Sequence, residues 1–377
     1  MVVGIPVLLI GGTEQQTLAL VNVLIAGGYK VTVCCYYESD KSMVSAMEKA
    51  GADVLLLELM RKDGLLSLLR KLEALFRKLK PDIVHVQYIA PGLIPVLAAK
   101  FASVRTIFAT VHQPGRIYGL KEKFLLRTAA RLCNAFFCNS KAVEESWFGD
   151  SEIYNPEKNY QGKKHFTIYN AIDTDHMEEI VNRTDRKQLK SNLGINNRPV
   201  IGVVGRLRWE KGQDILLDAM PEVIKDVPDV ILLIVGDGPD RKKLENRIKE
   251  LVIENNIILT GQVEYSDVIR LYTIMDVAVV PSRFEGFGLS AVEAMAAGVP
   301  VVASPVDGLK EVVKHGINGY LVPAAESQRL ARVLIEMLQD TSRSSVMGLN
   351  GYKRVRDLFS IEHFSEMIKA AYTQFHG

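Results

Sequence analysis

Residues 281–304 read PSRFEGFGLSAVEAMAAGVPVVAS, and this stretch decides the fold. The apolar run Val277–Val280 precedes it and predicts a buried strand. A glycine-rich loop follows, and Leu289–Ala297 has the composition of a good helix that ends at Gly298. Val301–Ala303 then predicts the next strand. Together these elements form one strand–helix–strand unit of a parallel sheet.

The same alternation of short apolar runs and amphipathic stretches extends along the whole chain in two successive sets. The first set of predicted strands comprises Val7–Ile10, Lys30–Cys35, Val54–Leu57, Ile83–Val86, Thr106–Val111 and Ala135–Cys138. The second set comprises Val200–Val204, Val230–Val235, Ile257–Thr260, Val277–Val280 and Val301–Ala303. This pattern predicts the α/β class, with two Rossmann-like domains in tandem.

The length of 377 residues agrees with two domains rather than one. The polar run DRKQLKSNLGINNRP separates the two sets, so we place the domains at residues 1–180 and 181–355. The remaining segment, residues 356–377, contains Ile361–Phe375, which predicts a helix.

The composition excludes several classes of protein. Apolar residues make up 48% and charged residues 24%, as in folded globular proteins, and the net charge of +2 gives no reason to expect a nucleic-acid partner. The four cysteines are expected to be buried free thiols of a reducing compartment. The apolar start lacks a basic leader, and no run reaches the roughly 18 apolar residues of a membrane span. We therefore expect a cytoplasmic protein.

The loop and helix within residues 281–304 suit an anionic ligand. Gly286 and Gly288 let backbone amides approach a ligand, and the helix that starts at Leu289 favours an anion at its N-terminus. Glu285 lies in the loop and Glu293 one turn into the helix, so two carboxylates flank that point. They would suit the hexose and ribose hydroxyls at the two ends of a nucleotide sugar. The alternative for either glutamate alone is an ordinary surface side chain.

A second motif, GVVGRLRWEKG at residues 202–212, follows the first strand of the second set. Arg206 and Lys211 leave that strand end close together, where α/β sheets usually bind ligands. Two cations there would hold two phosphates, and the alternative is a pair of solvated surface cations. The nearby VGDGPDR has Arg241 where a dinucleotide motif needs its third glycine, so we predict a plain strand-to-helix turn that walls the nucleotide pocket.

The first set of strands offers two weaker candidates. Gly11 and Gly12 follow its first strand and permit close backbone approach to a phosphate. His112 lies at the end of the strand Thr106–Val111, a better place than most for a functional histidine. A satisfied structural histidine and an ordinary glycine turn are the alternatives.

Taken together, these segments resemble the retaining glycosyltransferases of family 4, which have the GT-B architecture. The similarity runs through GGTE, VHQPG, NSKAVEES, YNAID, GRLRWEKG, VGDGPDRKKLE, EGFGLSAVEAMAAGVPVVAS and GINGYLV. The resemblance implies two Rossmann-like domains whose parallel sheets face each other across a cleft. It also implies that the second domain binds most of the donor and that the C-terminal helix returns to the first domain.

The resemblance also implies residue roles. Arg206 and Lys211 would neutralise the diphosphate, Glu293 would hold the ribose, and the backbone near Gln262 and Val263 would contact the base. The loop residues expected at the sugar are Glu285, Gly286, Phe287, Gly288 and Leu289. In the first domain, Gly11 and Gly12 would close over the phosphates, and His112 would lie beside the transferred sugar. Of these residues, Glu285, His112, Arg206 and Lys211 are the expected catalytic ones.

The expected reaction moves a hexose-type sugar from a nucleotide diphosphate donor to a glycan, lipid-linked or small-molecule acceptor, with retention of configuration. A UDP-sugar is preferred over a GDP-sugar, and neither a metal nor another cofactor is expected because the two cations supply the charge. Two alternatives remain: a sugar-nucleotide epimerase, and a non-catalytic subunit that binds sugar nucleotides. The sequence leaves the oligomeric state open.

A basic stretch of the first domain raises the question of a membrane partner. From Arg61 to Arg131 there are fourteen Lys and Arg residues against four acids, which are Asp63, Glu73, Asp82 and Glu122. RKLEALFRKLK and GLKEKFLLRTAARL within it are basic and amphipathic. Such a face either rests on anionic lipid, as a peripheral contact at the inner membrane face, or forms the solvated outside of sheet-covering helices.

Overall fold

The computed structural model describes residues 1–88, 92–160 and 162–376. The chain divides into two compact units. The first unit comprises Met1–Ala171 together with Ile361–Gly377, and the second comprises Ile172–Ser360. Each unit has its own parallel sheet covered by helices, which confirms the predicted α/β class with two Rossmann-like domains.

In the first unit, strands and helices alternate along the chain. The strands are β1 Val2–Ile5, β2 Thr32–Cys35, β3 Asp53–Leu56, β4 Ile83–Tyr88, β5 Thr106–Val111, β6 Ala135–Cys138 and β7 His165–Thr167. The helices are α1 Gly12–Ala26, α2 Lys41–Lys49, α3 Gly64–Leu79, α4 Ile94–Phe101, α5 Leu120–Leu132 and α6 Lys141–Phe148. The sheet has the strand order β3-β2-β1-β4-β5-β6-β7, and every pairing is parallel.

The second unit repeats the alternation after two helices, α7 Thr174–Arg183 and α8 Arg186–Asn192. Its strands are β8 Val200–Val204, β9 Ile231–Val235, β10 Ile257–Gly261, β11 Val277–Val280, β12 Val301–Ala303 and β13 Gly319–Leu321. Its other helices are α9 Gln213–Asp226, α10 Arg241–Glu250, α11 Tyr265–Tyr272, α12 Leu289–Ala296, α13 Leu309–Val312, α14 Ser327–Gln339 and α15 Thr341–Leu358. The strand order is β10-β9-β8-β11-β12-β13.

The first predicted strand, Val7–Ile10, is wrong. The strand that joins the sheet is Val2–Ile5, and it pairs with both β2 and β4. Pro6 ends it, because proline has no amide hydrogen to donate to a ladder. Beyond Pro6 the chain forms only an isolated bridge from Leu8 to Ser39. Two further strands, β7 and β13, were not predicted, and each is a three-residue strand at one edge of its sheet.

The units divide between Ala171 and Ile172, ahead of the boundary at 180/181 that the sequence predicts. The reason is that α7 packs against α11 and α12 of the second unit. At the other end of the second unit, the chain divides at Ser360 and Ile361, whereas the sequence places the division between 355 and 356. The helix α16, Ile361–Phe375, then packs on α1 of the first unit.

The first unit buries one apolar cluster on each face of its sheet. Leu72 of α3, Val96 of α4 and Leu126 of α5 belong to the cluster on one face. The other cluster joins α1 and α2 with α16, which contributes Phe364, Ile368, Ala371 and Tyr372. The four cysteines are free and buried, as predicted. None of the helices within the described residues has the length and apolarity that crossing a bilayer requires.

Candidate functional site

The strand order of the second unit reverses beside β8. From β8 the chain crosses to β9 on one side, and it later returns to β11 on the other side. The loops that follow β8 and β11 therefore leave adjacent strands at the carboxyl edge of the sheet. A crevice at such a reversal is where open α/β sheets bind ligands. The predicted motifs of residues 202–212 and 281–304 supply these two loops.

Backbone contacts hold these loops together at glycines. Gly212 has φ +69°, and a Cβ added to it would lie 2.1 Å from the carbonyl oxygen of Pro281. A Cβ on Gly238 would lie 2.4 Å from the carbonyl oxygen of Leu207. Leu207 also donates its amide to the carbonyl of Asp237 at 3.0 Å. The segment VGDGPDR is thus the strand-to-helix turn that the sequence predicts, and it packs on the loop that carries Arg206 and Lys211.

Lys211 and Glu285 meet at this edge. The Lys211 Nζ lies 2.6 Å from Glu285 Oε2, and both side chains are partly buried. Ser282 donates its hydroxyl to the same carboxylate oxygen at 3.3 Å. The amide of Glu285 donates to Asp307 Oδ2 at 3.0 Å. Two residues that were predicted from separate motifs therefore form one charged pair. Asp307 fixes the loop that carries Glu285 by accepting the Glu285 amide.

Arg206 leaves the same loop as Lys211 and is exposed. Its carbonyl accepts a hydrogen bond from Gln213 Nε2 at 3.1 Å, which holds its backbone. Its guanidinium has no ion pair or hydrogen bond to any residue in the described part of the chain. A guanidinium without such partners has charge and donors available for an anion.

Arg283 is a residue of this site that the sequence did not reveal. It binds Asp214 through both guanidinium ends, with Nη1–Oδ1 and Nη2–Oδ2 distances of 2.8 Å each. Nη1 also donates to the carbonyl of Trp209 at 2.6 Å, and the guanidinium lies 4.7 Å from the centre of the Trp209 ring. Arg283 therefore ties the loop that holds Glu285 to the turn that holds Lys211. Only the pairing of β8 with β11 brings these residues together.

The helix α12 begins in this crevice. Its N-cap residue Gly288 has φ +101°, and no side chain caps the helix. A Cβ on Gly288 would lie 2.4 Å from Leu309 Cδ2, so this position requires glycine. Phe287 is buried and packs edge-on against Phe359 at 5.2 Å. The amides of Ala291 and Val292 donate to the carbonyl of Gly288, at 3.0 and 3.2 Å. The amides of Leu289 and Ser290, which precede them, are therefore the ones that can bind an anion.

Glu293 lies one turn into α12 and is largely buried. The hydroxyl of Tyr272 donates to its Oε2 at 3.2 Å. Burial raises the pKa of Glu293 to about 7, although hydrogen bonds from Tyr272 and Tyr265 act in the opposite direction. Its carboxylate thus changes charge near neutral pH. Val263, the predicted base contact, follows β10 and is half-buried, two residues past Gly261.

In the first unit, Gly11 is the N-cap of α1, which begins at Gly12. No side chain caps this helix either. A Cβ on Gly11 would lie 2.6 Å from Glu14 Oε2, the end of a buried but flexible side chain. The geometry agrees with backbone approach to an anion at α1, and the phosphate role of both glycines stays a prediction.

His112 directly follows β5 and is buried. Its Nε2 lies 2.7 Å from Gln87 Oε1, and within the described residues its buried Nδ1 has no hydrogen-bond partner. Burial lowers the pKa of His112 to about 4, so the imidazole is neutral at neutral pH. A cavity of about 20 Å³, enough for one water molecule, lies against His112, Gln87 and Thr110. The Gln87 contact favours a proton on Nε2, which leaves Nδ1 as an acceptor. The catalytic role of His112 stays a prediction.

One group of side chains within the described residues has the donor atoms of a metal site. Glu144, Asp150 and His165 lie together in the first unit. Lys163 already balances their charge, because its Nζ lies 3.5 Å from Asp150 and 4.0 Å from Glu144. In the second unit, Asp173 caps α7 through the amide of His176, and Asp175 pairs with Arg356 at 3.1 Å. These carboxylates serve the protein's own structure, and none of them belongs to the crevice residues named above.

Comparison with protein families identifies the chain. The model described as glycosyl transferases group 1 matches residues 185–354, and that of glycosyltransferase family 4 matches residues 10–176. The chain belongs to the group 1, family 4 glycosyltransferases. The family 4 match lies almost entirely in the first unit, and the group 1 match lies in the second unit.

Individual relatives agree with this assignment. N-acetyl-alpha-D-glucosaminyl L-malate synthase of Bacillus anthracis is 29% identical over 310 residues, which cover 81% of this chain and 78% of that protein. A GDP-mannose-dependent monoacylated alpha-(1-6)-phosphatidylinositol monomannoside mannosyltransferase of Corynebacterium glutamicum is 34% identical over 194 residues, 49% of this chain and 50% of that protein. The glycosyltransferase therefore matches that relative over only half of its length.

A solved structure shows the same fold. Anabaena HepE in complex with UDP superposes with a TM-score of 0.80, at 23% identity, over 99% of this chain and 100% of that chain. HepE has also been crystallised in complex with UDP-glucose. At this identity the likeness establishes the fold of the glycosyltransferase.

A substitution at Gly212 tests the contact between the two loops. We expect Gly212→Ala to lower the free energy of unfolding of the second unit by about 2–4 kcal/mol, because it adds overlap with Pro281 to the strain of a left-handed backbone. Gly298→Ala is the matched control: its φ is +76° and nothing lies within 4 Å of the added Cβ. It should cost only about 1 kcal/mol. Equal losses in urea denaturation of the two variants would contradict the contact.

The raised pKa of Glu293 predicts that the stability of the protein depends on pH. Its folded pKa lies above the ordinary 4.5, so the folded state holds a proton that the unfolded state has lost between these values. The contribution of Glu293 to stability therefore falls as pH rises towards 7 and is constant above it. Relative to wild type, Glu293→Gln should gain about 2–3 kcal/mol between pH 5 and pH 8. The exposed control Glu222→Gln should gain nothing, and parallel pH profiles for all three proteins would disprove the assignment.

Proposed function

We propose that this glycosyltransferase moves a hexose-type sugar from a nucleotide diphosphate donor to an acceptor, keeps the anomeric configuration and needs no metal. The acceptor is a glycan, a lipid-linked group or a small molecule. The observation that carries the proposal is the grouping of Arg206, Lys211 and the uncapped start of α12 at one crevice.

The chemical problem is to break a bond between the anomeric carbon and a phosphate oxygen. Negative charge grows on the leaving diphosphate as that bond breaks. Arg206 and Lys211 supply positive charge, and the amides that begin at Leu289 supply donors, all held by packed loops. Donors fixed in place before the reaction stabilise such charge more effectively than water, because they need not reorganise. The same groups favour a nucleotide diphosphate over a neutral ligand.

The two glutamates suit the two ends of the donor. Glu285 lies at the loop beside Lys211, in a position to accept hydrogen bonds from sugar hydroxyls. Glu293 lies deeper, with Tyr272, in a position to accept hydrogen bonds from ribose hydroxyls. We propose a uridine base, in keeping with the UDP and UDP-glucose complexes of HepE. A guanosine donor is the second choice, because the C. glutamicum relative is named as GDP-mannose-dependent.

Retention is proposed to follow attack on the same face that the diphosphate leaves. A carboxylate nucleophile is the usual alternative. Glu285, the carboxylate in the loop, is paired with Lys211 and so serves better as a hydrogen-bond acceptor. In the same-face reaction, the acceptor oxygen forms its bond to the anomeric carbon as the phosphate oxygen departs with the bonding electrons. The departing phosphate oxygen then takes the proton of the acceptor.

Kinetics of two variants test this site. Lys211→Ala and Glu285→Ala should each lower kcat more than they raise KM, by about 2–4 kcal/mol in activation free energy, because the lost contact acts in the transition state. Because the two side chains touch, the double variant should lose less than the sum. The matched controls are Lys225→Ala and Glu222→Ala, exposed at the far end of α9. Wild-type kcat in either site variant would exclude the proposed role.

A panel of nucleotide sugars, followed by thermal unfolding, tests the donor and the metal together. A donor at 100 times its Kd should stabilise the protein by about 2.7 kcal/mol. We expect the largest shift with a UDP-sugar, and the same shift and turnover in excess EDTA. Turnover that EDTA abolishes and Mg²⁺ or Mn²⁺ restores would refute metal independence. Binding without any slow release of free sugar would favour a non-catalytic subunit.

A further inference from the structure

A buried tyrosine, Tyr272, lies against the first turns of α12. It is the last residue of α11, which packs on α12, and it is only 1% exposed. Its hydroxyl lies 3.1 Å from the carbonyl oxygen of Ser290 and 3.2 Å from Glu293 Oε2. Burial raises the pKa of Tyr272 well above its ordinary range, so the hydroxyl keeps its proton near neutral pH. It is therefore always able to donate a hydrogen bond.

The hydroxyl of Tyr272 can serve only one of these two acceptors at a time, because it has a single hydrogen. When Glu293 is ionised, its carboxylate is the stronger acceptor, so the hydrogen bond goes to Glu293. When Glu293 is protonated, its own O–H can donate to the oxygen of Tyr272, which then donates to the carbonyl of Ser290. The geometry of the structure therefore satisfies both protonation states of Glu293.

The two tyrosines of α11 are the side chains that favour the charged form of Glu293. Burial raises the pKa of Glu293 to about 7, and hydrogen bonds from Tyr272 and Tyr265 act in the opposite direction. Asp173, which precedes α7, acts on Tyr265. The strands β11 and β12 carry no charged side chain. Other charged groups on the helices packed against α12 bind one another or backbone carbonyls: Asp267 with Arg270, Arg356 with Asp175 and Glu178, and Arg354 with the carbonyls of Glu311 and Val312.

The protonation state of Glu293 matters for the donor, and this step rests on the proposed function, in which Glu293 accepts hydrogen bonds from ribose hydroxyls. An ionised carboxylate accepts on both oxygens, whereas a protonated carboxyl group uses one oxygen as a donor. A ribose diol therefore binds the ionised form better. A ligand that prefers one state of a protein shifts the equilibrium towards that state, so donor binding favours loss of the proton.

We propose that Tyr272 is a positioning residue for the donor: its hydroxyl presents Glu293 to the ribose as a carboxylate, and donor binding near neutral pH releases the proton of Glu293. The proton passes to the buffer, and Tyr272 turns its own hydrogen from Ser290 to Glu293. Because Tyr272 is fully buried, it acts through Glu293. Tyr265 supports the same state from the first residue of α11.

Calorimetry of UDP-glucose binding between pH 6 and pH 8.5 tests the inference. The diphosphate of UDP-glucose is fully ionised over this range, so it does not itself titrate. For the wild type, Kd should fall about fivefold to tenfold from pH 6 to pH 8.5, because the folded pKa of Glu293 of about 7 lies within the range. Titrations at pH 7 in two buffers of different ionisation enthalpy should show release of about half a proton per donor bound.

Tyr272→Phe removes only the hydroxyl. The pKa of Glu293 should then rise further, so Kd at pH 7 should be about fivefold higher than in the wild type, and at pH 8.5 within about twofold of it. A loss of packing would weaken binding equally at every pH, so this recovery separates positioning from structure. Tyr265→Phe should act in the same direction. The matched control is Tyr320→Phe, a buried tyrosine of β13, which should follow the wild type at each pH.

Glu293→Gln is the second test, since glutamine cannot ionise. Its Kd should exceed that of the wild type at pH 8.5 and should not change between pH 6 and pH 8.5, and its binding should release no proton. Proton release that persists in Glu293→Gln would assign the titration to another group and overturn the inference. So would an affinity of the wild type that does not depend on pH, or an equal loss of affinity at both pH values in Tyr272→Phe.

The outcomes also separate the positioning role of Tyr272 from the proposed function. Dependence of binding on pH as described, without any sugar transfer, would support the positioning role and refute the proposed reaction. Sugar transfer from UDP-glucose together with binding that ignores pH would refute the positioning role alone. No binding of UDP-glucose at any pH would overturn the uridine donor and the positioning role with it.

Discussion

Close backbone contact between loops at the carboxyl edge of the second sheet is the constraint on which the candidate site depends. Gly212 lies against the carbonyl of Pro281, and Gly238 lies against the carbonyl of Leu207. No side chain fits between such backbones, so both positions require glycine. The consequence is electrostatic, because Lys211 and Glu285 are carried by these loops and are brought to 2.6 Å.

Burying the charges of Lys211 and Glu285 lowers the stability of the fold, but it places these groups in advance for a ligand. Lys211 and Glu285 are partly buried charges, and taking charges out of water is favourable only when they are paired and hydrogen-bonded. Ser282 and Asp307 complete that pairing by binding the carboxylate and the amide of Glu285. Arg283 holds the two loops together through Asp214. The energy that would otherwise be needed to order these groups around a diphosphate has therefore already been spent in folding.

The first unit uses the same architecture in a different way. Its sheet places a neutral, buried histidine at the end of β5, where Gln87 orients the ring. Burial lowers the pKa of His112 to about 4, so its imidazole is neutral at neutral pH. On one face of the sheet, the inner residues of α3, α4 and α5 form a single buried cluster.

The amino-acid sequence by itself determined the fold class, most strands and the residue types of the site. Buried parallel strands are continuous apolar runs, so Thr106–Val111, Val200–Val204 and Val277–Val280 were predicted with the bounds that the structure has. The motifs also identified Lys211 and Glu285. Val7–Ile10 was misplaced because two apolar runs flank Pro6, and only pairing with β2 and β4 selects between them. Short edge strands such as β7, with three residues, are too short for an apolar pattern that would predict a strand.

Only the tertiary structure decided which side chains meet. The pairing of β8 with β11 brings Asp214 to Arg283, and the packing of α11 on α12 brings Tyr272 to Glu293. These partners are far apart along the chain, and local patterns report only on neighbours within a few residues. The pKa of Glu293 and the neutrality of His112 follow from burial and long-range contacts, which depend on how the whole domain packs.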